Sequence, residues 1–294
     1  MGLLAVLLVV AQAPDTGLRA RIEARIAQAP ARAVGVYFRD LATGDSLLVG
    51  ARLRFHAAST MKVPVMIQLY RDRDAGRLSL DDSIPVTNTF HSIVDSSAYT
   101  LDKTDDSDST LYLRVGGQAA IRELIELMET VSSNLATNLL IARVGAPRAN
   151  VTAHALGADS ILVLRGVEDG KAYRAGRNNT TTARDLGVLL AAIAQDRAAS
   201  PAACREMLTI LGRQHFNEGI PAGLPAGTPV YHKTGWVGGV VYHDAAIVER
   251  PNGRRYVLVV LTGGIQKDDD AYRLVSDVSR MVWEARERGD AVSR

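Results

Sequence analysis

Ser59-Thr60-Met61-Lys62-Val63-Pro64-Val65-Met66-Ile67-Gln68-Leu69-Tyr70 is the stretch on which the fold turns. From Met61 to Tyr70 only Lys62 and Gln68 are polar. A helix apolar on nearly every side belongs in a protein interior. The stretch therefore buries a lysine one helical turn from a serine, and residues three apart share a helix face. That spacing lets the Lys62 amine reach the Ser59 hydroxyl. Burial without a partner is expensive for a lysine and lowers its pKa. A lysine that gives up its proton beside a serine is one way to activate a weak hydroxyl nucleophile. The plainer alternative is a capping serine followed by a lysine that snorkels to solvent, and two motifs further along the chain decide against it.

Upstream, the apolar run Met1 to Val10 is too short to span a bilayer. It ends in Ala11-Gln12-Ala13, which fits a signal-peptidase site, so residues 1–13 are expected to be a signal peptide without the usual positive n-region. Thr16 to Ala29 has Leu18, Ile22 and Ile26 at helical spacing. Ala33 to Phe38 and Ser46 to Gly50 read as strands joined at the turn Thr43-Gly44-Asp45.

Downstream, the helix closes at Ala75-Gly76. Leu80 to Val86 is expected to be extended. Thr87 to Ser109 is polar, with an acid-rich patch from Asp102 to Asp108, and reads as a long loop: a lid over one side of a cleft or a solvated insertion. Helical tracts follow, one beginning at Leu124 to Met128, one after Ser132-Ser133-Asn134, and one from Asn150 to Leu156 after a break at Gly145-Ala146-Pro147. Ser160 to Asn179 is irregular. Thr180-Thr181-Thr182 caps a helix over Ala183 to Ala194, and Pro201 to Leu211 is helical again.

The last quarter changes period. Val230 to Gly235, Val241 to Glu249 and Arg255 to Thr262 read as strands, the last two joined at Pro251-Asn252-Gly253. Asp268 to Arg288 is a long helix. The two ends of the chain must then pair into one five-stranded antiparallel sheet with terminal helices on it, an α+β fold. Residues 16–55 and 206–290 form this lobe, residues 56–205 an all-helical lobe, and 16–294 one domain. A site is expected between the lobes.

At 294 residues the chain can bury a full core, and its net charge of +2 comes from interspersed acids and bases. No basic run or basic-aromatic repeat suggests nucleic acid. The lone Cys204 reads as a small core residue, and the six histidines lack metal-ligand spacing. No metal and no cofactor are expected.

Three motifs occur in chain order: Ser59-x-x-Lys62, Ser132-Ser133-Asn134 and Lys233-Thr234-Gly235. With Ser-Asp-Asn in the middle, this trio marks class A β-lactamases and penicillin-binding proteins. The chain resembles that family from about Leu18 to Trp283, including Phe55 to Lys62, Asn134 to Leu140 and Thr180 to Thr182. The resemblance implies the β-lactamase/transpeptidase-like fold, with the site between the lobes. It implies an acylated Ser59, proton relay by Lys62, and delivery of a proton by Ser132 to the leaving nitrogen. Asn134 would bind the substrate's side-chain amide. Lys233 and Thr234 would bind its carboxylate, Gly235 would let the strand approach, and the N–H groups of Ser59 and Trp236 would form an oxyanion hole.

Departures from the pattern are equally specific. Ser133 replaces aspartate. The family's hydrolytic glutamate usually follows an arginine by two positions, whereas Arg165-Gly166-Val167-Glu168 places the acid three after it. Glu168 is the candidate base, and a structural ion pair is its alternative. Asn179 stands where the loop's aspartate is usual, and the strand after Lys233-Thr234-Gly235 offers Tyr242 and His243 but no arginine.

These features lead to a metal-independent serine β-lactamase acting on a β-lactam or peptidoglycan-like small molecule. The chain is expected to be monomeric, exported to the periplasm or secreted, and not membrane-inserted. The alternatives are a penicillin-binding D,D-peptidase or related hydrolase that releases its acyl group slowly, and a non-catalytic binding domain.

Overall fold

A computed structural model describes residues 16–292, so the expected signal peptide lies outside the described residues. Helix α1 (Thr16–Ala27) leads into β1 (Ala33–Asp40) and β2 (Ser46–Val49), joined by the expected turn, where Gly44 takes φ +81°. A short strand β3 (Phe55–His56) and a 3-10 turn (Ala58–Met61) precede the buried helix α2 (Lys62–Asp74). Gly76, at φ +68°, ends α2 by returning its N–H to Arg73 O.

The next segment is more ordered than its composition suggests. Only Ser83–Pro85 of the expected extended stretch is a strand, β4, while Phe90–His91 and Ala98–Tyr99 form a hairpin, β5 and β6, inside the polar loop. Strand β7 (Gln118–Ala120) pairs with β4 and leads into α3 (Ile121–Thr130) and α4 (Asn134–Val144). Helix α5 (Ala146–Ala155) starts four residues earlier than expected at Asn150. Pro147 falls in its first turn, where a missing N–H costs nothing, so Gly145 alone makes the break, at φ +80°. The irregular stretch contains a short helix, α6 (Gly170–Arg174); β8 (Thr180–Thr181), α7 (Ala183–Ala194) and α8 (Pro201–Leu211) follow. Thr182 and Ser200 cap α7 and α8 through their hydroxyls.

Strands β9 (Val230–Val237), β10 (Val241–Glu249) and β11 (Arg255–Gly263) and the helix α9 (Asp268–Val292) complete the chain. The main sheet is five-stranded and antiparallel, in the order β2-β1-β11-β10-β9, so the two ends of the chain meet where β1 pairs with β11. Alternation along each strand divides the core in two. Val34, Val36 and Phe38 of β1 and Tyr256, Leu258 and Val260 of β11 face the terminal helices α1 and α9. Tyr37, Val257, Val259 and Leu261 face the helical side, where they join one apolar cluster with α2, α3, α4, α7 and α8. Both faces are covered, which is why these strands read as continuous apolar runs. Gly187 lets α7 lie on the sheet, since a Cβ there would collide with the Tyr37 ring.

Candidate active site

The turn that carries Ser59 is fixed from three sides. Pairing of β3 with β8 holds its N-terminal approach, the Ala57 N–H donates to Asn179 O at 2.8 Å, and the Ala58 N–H donates to His56 Nδ1 at 3.1 Å. Ala58 sits at φ +45°, and five non-glycine residues among those described have positive φ: Ala58, Ser96, Ser132, Glu168 and Asp196. Three of the five flank or belong to this site, where strained backbone tends to concentrate. On the sheet side β9 passes so close that a Cβ on Gly235 would lie 3.1 Å from Ser59 N and 3.2 Å from Ala57 O. The sheet thereby brings Lys233, Thr234 and Trp236 to the Ser59 turn.

Lys62 is fully buried, as its place beside the apolar run Val63 to Ile67 of α2 leads one to expect. Its Nζ donates to Ser132 O at 2.7 Å, Ser132 Oγ at 3.0 Å and Asn134 Oδ1 at 3.3 Å. Those three acceptors match the three N–H groups of an ammonium. The Ser59 hydroxyl, expected to receive the amine, makes no hydrogen bond among the described residues, so Lys62 is turned toward the Ser132 loop. Lys233, also fully buried, donates to the same Ser132 Oγ at 3.1 Å and to Thr234 O at 3.0 Å. Burial, and then the charge of Lys233, push the Lys62 amine well below the ordinary lysine range, against the pull of Asp106, Glu129 and Glu168. Burial lowers Lys233 as well, against the pull of Glu129 and Asp244.

Ser132 reaches both amines from a left-handed backbone, φ +60°, just before α4. Capping of α4 falls to Ser133, whose Oγ accepts from the Ala136 N–H at 3.3 Å. A serine where the family has aspartate thus still serves the helix end.

Asn134 opens α4. Its Nδ2 donates to Glu168 Oε1 at 2.9 Å while its Oδ1 receives Lys62. Glu168 is half-buried at φ +61°, and its other oxygen accepts from the Asp102 N–H at 3.2 Å. Burial raises its pKa, against the hydrogen bond from Asn134. The position two after Arg165 is Val167, whose backbone is clamped by Asn138: the Val167 N–H donates to Oδ1 at 2.7 Å and its carbonyl accepts from Nδ2 at 3.1 Å. Arg165 and Asn179 tie the loop through uncharged acceptors rather than an ion pair. Asn179 Oδ1 accepts from the Leu164 and Arg165 N–H groups, and the Arg165 guanidinium donates to Arg177 O, Gly166 O and Asn178 Oδ1.

Thr234 and Trp236 complete the strand side. The Thr234 hydroxyl, like that of Ser59, makes no hydrogen bond among the described residues. Trp236 is 55% exposed, and its indole N–H donates to Asp268 Oδ1 at 2.9 Å. His243 is buried behind Gly235, donating to His56 O at 2.8 Å and packing edge-on to Phe55; burial lowers its pKa to about 4, which keeps it neutral.

Two acids missed in the sequence belong to this assembly. Asp106 accepts from the backbone N–H groups of Asn134 and Leu135, each at 2.9 Å, and from the Tyr112 hydroxyl at 3.0 Å. The acid-rich loop is therefore a wall that binds the positive end of α4. Glu129 ends α3 on its buried face, four residues after Ile125, and an acid on an apolar helical stripe was the signal available.

Similarity to known proteins points to one family. The profile of the beta-lactamase enzyme family matches residues 17–285. A beta-lactamase of Streptomyces lavendulae is 28% identical over 237 residues, covering 78% of this chain and 73% of that protein. The structure of PBP-A superposes with a TM-score of 0.80 at 34% identity, covering 94% of this chain and 98% of that one. A mutant of PBP-A, solved as an acyl-enzyme complex with penicillin-G, matches with the same TM-score at 33% identity.

Proposed function

Because the chain belongs to the beta-lactamase enzyme family, we propose that it is a serine hydrolase that opens the amide bond of a β-lactam through an acyl-enzyme on Ser59. The observation that carries this reading is the Ser132 oxygen held between two buried lysines, with Gly235 drawn against the Ser59 turn. In the first step Lys62, as a neutral amine, takes the Ser59 proton while Ser59 Oγ bonds to the carbonyl carbon. A neutral amine has only two N–H groups, so one of its three contacts lapses, and the longest is that to Asn134. The backbone N–H groups of Ser59 and Trp236 hold the oxyanion; one such donor contributes about 3–4 kcal/mol. The carbon–nitrogen bond then breaks. Ser132 gives its proton to the leaving nitrogen and regains one from Lys62, so the net transfer is from Ser59 to nitrogen. Lys233 and Thr234 bind the substrate carboxylate, and Asn134 its side-chain amide.

Release of the acyl group needs a base that aims a water. Glu168 is that base in this reading, acting beside Asn134. A second reading, a penicillin-binding D,D-peptidase that holds its acyl group, is favoured by one observation: Val167 stands two after Arg165, and Glu168 is bonded to Asn134 and Asp102. The PBP-A mutant solved with penicillin-G is an acyl-enzyme, the state that this second reading has persist. Nitrocefin turnover by the purified protein, with Ser59→Ala as control, tests the hydrolase. No turnover dependent on Ser59 overturns it. Intact mass after benzylpenicillin separates the readings, since a hydrolase returns to the free mass and a penicillin-binding protein keeps the adduct.

The N-terminal apolar run and Ala11-Gln12-Ala13 support export to the periplasm or medium, checked by cell fractionation. A monomer that protects its host from β-lactams follows from the same reading, with light scattering and growth on ampicillin as the measurements.

A further inference from the structure

Glu129 occupies a place where stability favours an apolar side chain. Ile121, Leu124, Ile125 and Met128 of α3 are all fully buried, and Glu129 continues their face at 1% exposure. Neither carboxylate oxygen accepts a hydrogen bond, and no lysine, arginine or histidine lies within ion-pair distance among the described residues. A buried carboxylate without donors is costly. The charges that act on it are those of Lys233 and Lys62, the two amines that meet at Ser132.

The two amines differ in their anions. Lys62 feels Asp106, Glu129 and Glu168. Lys233 feels Glu129 first and then Asp244. Asp244 is already bound by His232 Nδ1 at 2.9 Å and the Ile220 N–H at 2.7 Å, which spread its charge. Burial raises the Glu129 carboxyl to about 7, against the pull of Lys233 and Lys62; above that pH it is charged, with no such donors to spread the charge. Other charges on α3 and the elements packed against it pair among themselves: Arg122 with Asp81 and Glu206, Glu123 with Arg114, and Glu126 with Arg213. His215, whose N–H donates to Thr130 O, has an exposed ring.

We propose that Glu129 is a positioning residue for the reaction: from the buried last turn of α3, three residues before the Ser132 that both amines bond, it supplies the negative charge that keeps Lys233 cationic, so that Lys233 holds the substrate's acid group while Lys62 is left to carry the proton. This rests on the acyl-enzyme reading above. It assigns unequal work to two buried lysines that share one acceptor, and it gives the unpartnered acid a function.

The test is the rate of Ser59 acylation by benzylpenicillin, followed by intact mass across about pH 5.5 to 9.5. Glu129→Gln keeps the shape and removes the charge. Lys233 then loses its proton at lower pH, and the alkaline limb of the rate moves down by about one pH unit or more. Glu129→Asp restores the limb in part. In a Lys233→Arg background, where the cation does not titrate, Glu129→Gln leaves the limb in place. A folded Glu129→Gln protein with the parent's limb overturns the proposal, and so does a shift that persists beside Arg at position 233. Should Glu129→Gln fail to fold, infrared spectroscopy decides. At about pH 8, Lys233→Met gains a protonated-carboxyl band over the parent. A protonated Glu129 in the parent at that pH overturns the proposal. Failure of the parent to acylate overturns the acyl-enzyme reading instead, and the infrared comparison still decides the charge pairing.

Discussion

Gly235 is the residue at which the sheet meets the nucleophile. A methyl group there would lie 3.1 Å from Ser59 N and from Thr60 Cγ2, tighter than ordinary van der Waals contact, so Gly235→Ala pushes the strand and the turn apart. The neighbours must give by a few tenths of an ångström, so the expected result is a fall in Ser59 acylation of several-fold, short of the roughly 100-fold that a displacement of about 1 Å produces, with a folded protein by circular dichroism. His243, behind it, sets a pH dependence. Burial holds its folded-state pKa at about 4, below the ordinary histidine value of about 6.5, so the unfolded chain takes up a proton first as pH falls. Stability is lost across that window, and His243→Gln, which can still donate to His56 O, flattens the dependence in thermal melts at pH 7, 5.5 and 4.5 or thereabouts. The motifs that contain Ser59, Lys62, Ser132 and Lys233 were legible in the sequence through their order along the chain and the family which that order resembles. Glu129 was not, since a single acid on a helix reveals its burial only when the opposing surfaces are known. Nor was the direction of the Lys62 amine, which depends on a loop seventy residues away.

Helix α4 shows what the sequence could not say about an element's end. Its beginning at Asn134 was visible, but its anchor lies in the polar loop. Asp106 takes the N–H groups of Asn134 and Leu135 and thereby aims Asn134 at Lys62 and Glu168. Asp106→Ala is expected to cost about 1–2 kcal/mol, the size of a lost N-cap. It should lower the melting temperature by about 2–6 °C and reduce acylation beyond what the lost stability explains. Equal melting curves for variant and parent would remove the anchor from the account. The loop's order has the same origin. Asp169 caps α6 and receives the Ser92 hydroxyl and the Ile93 N–H, so the polar stretch is held by side chains that composition alone reads as solvated. The strands and long helices were legible because burial of one or both faces writes a period into the sequence; these loops are held by single hydrogen bonds, which leave no period.

Across the whole molecule, one apolar cluster spans the helical side of the sheet and the helices that adjoin Ser59 and Ser132. The lobes therefore share a core, and unfolding is expected to be one cooperative transition. Near-ultraviolet signals from Trp236 and Trp283 should change together with far-ultraviolet ellipticity in a urea titration; separate midpoints would show that the lobes unfold independently. The pairing of the chain's two ends was readable from two strands at the start and three at the finish, with helices between. The meeting at Ser132 has a final consequence. A hydroxyl oxygen has two lone pairs and one hydrogen. Lys62 and Lys233, from opposite sides of the cleft, occupy both lone pairs. The hydrogen is left the one tetrahedral direction that faces neither amine, so the architecture that brings the lobes together also determines where that proton can go.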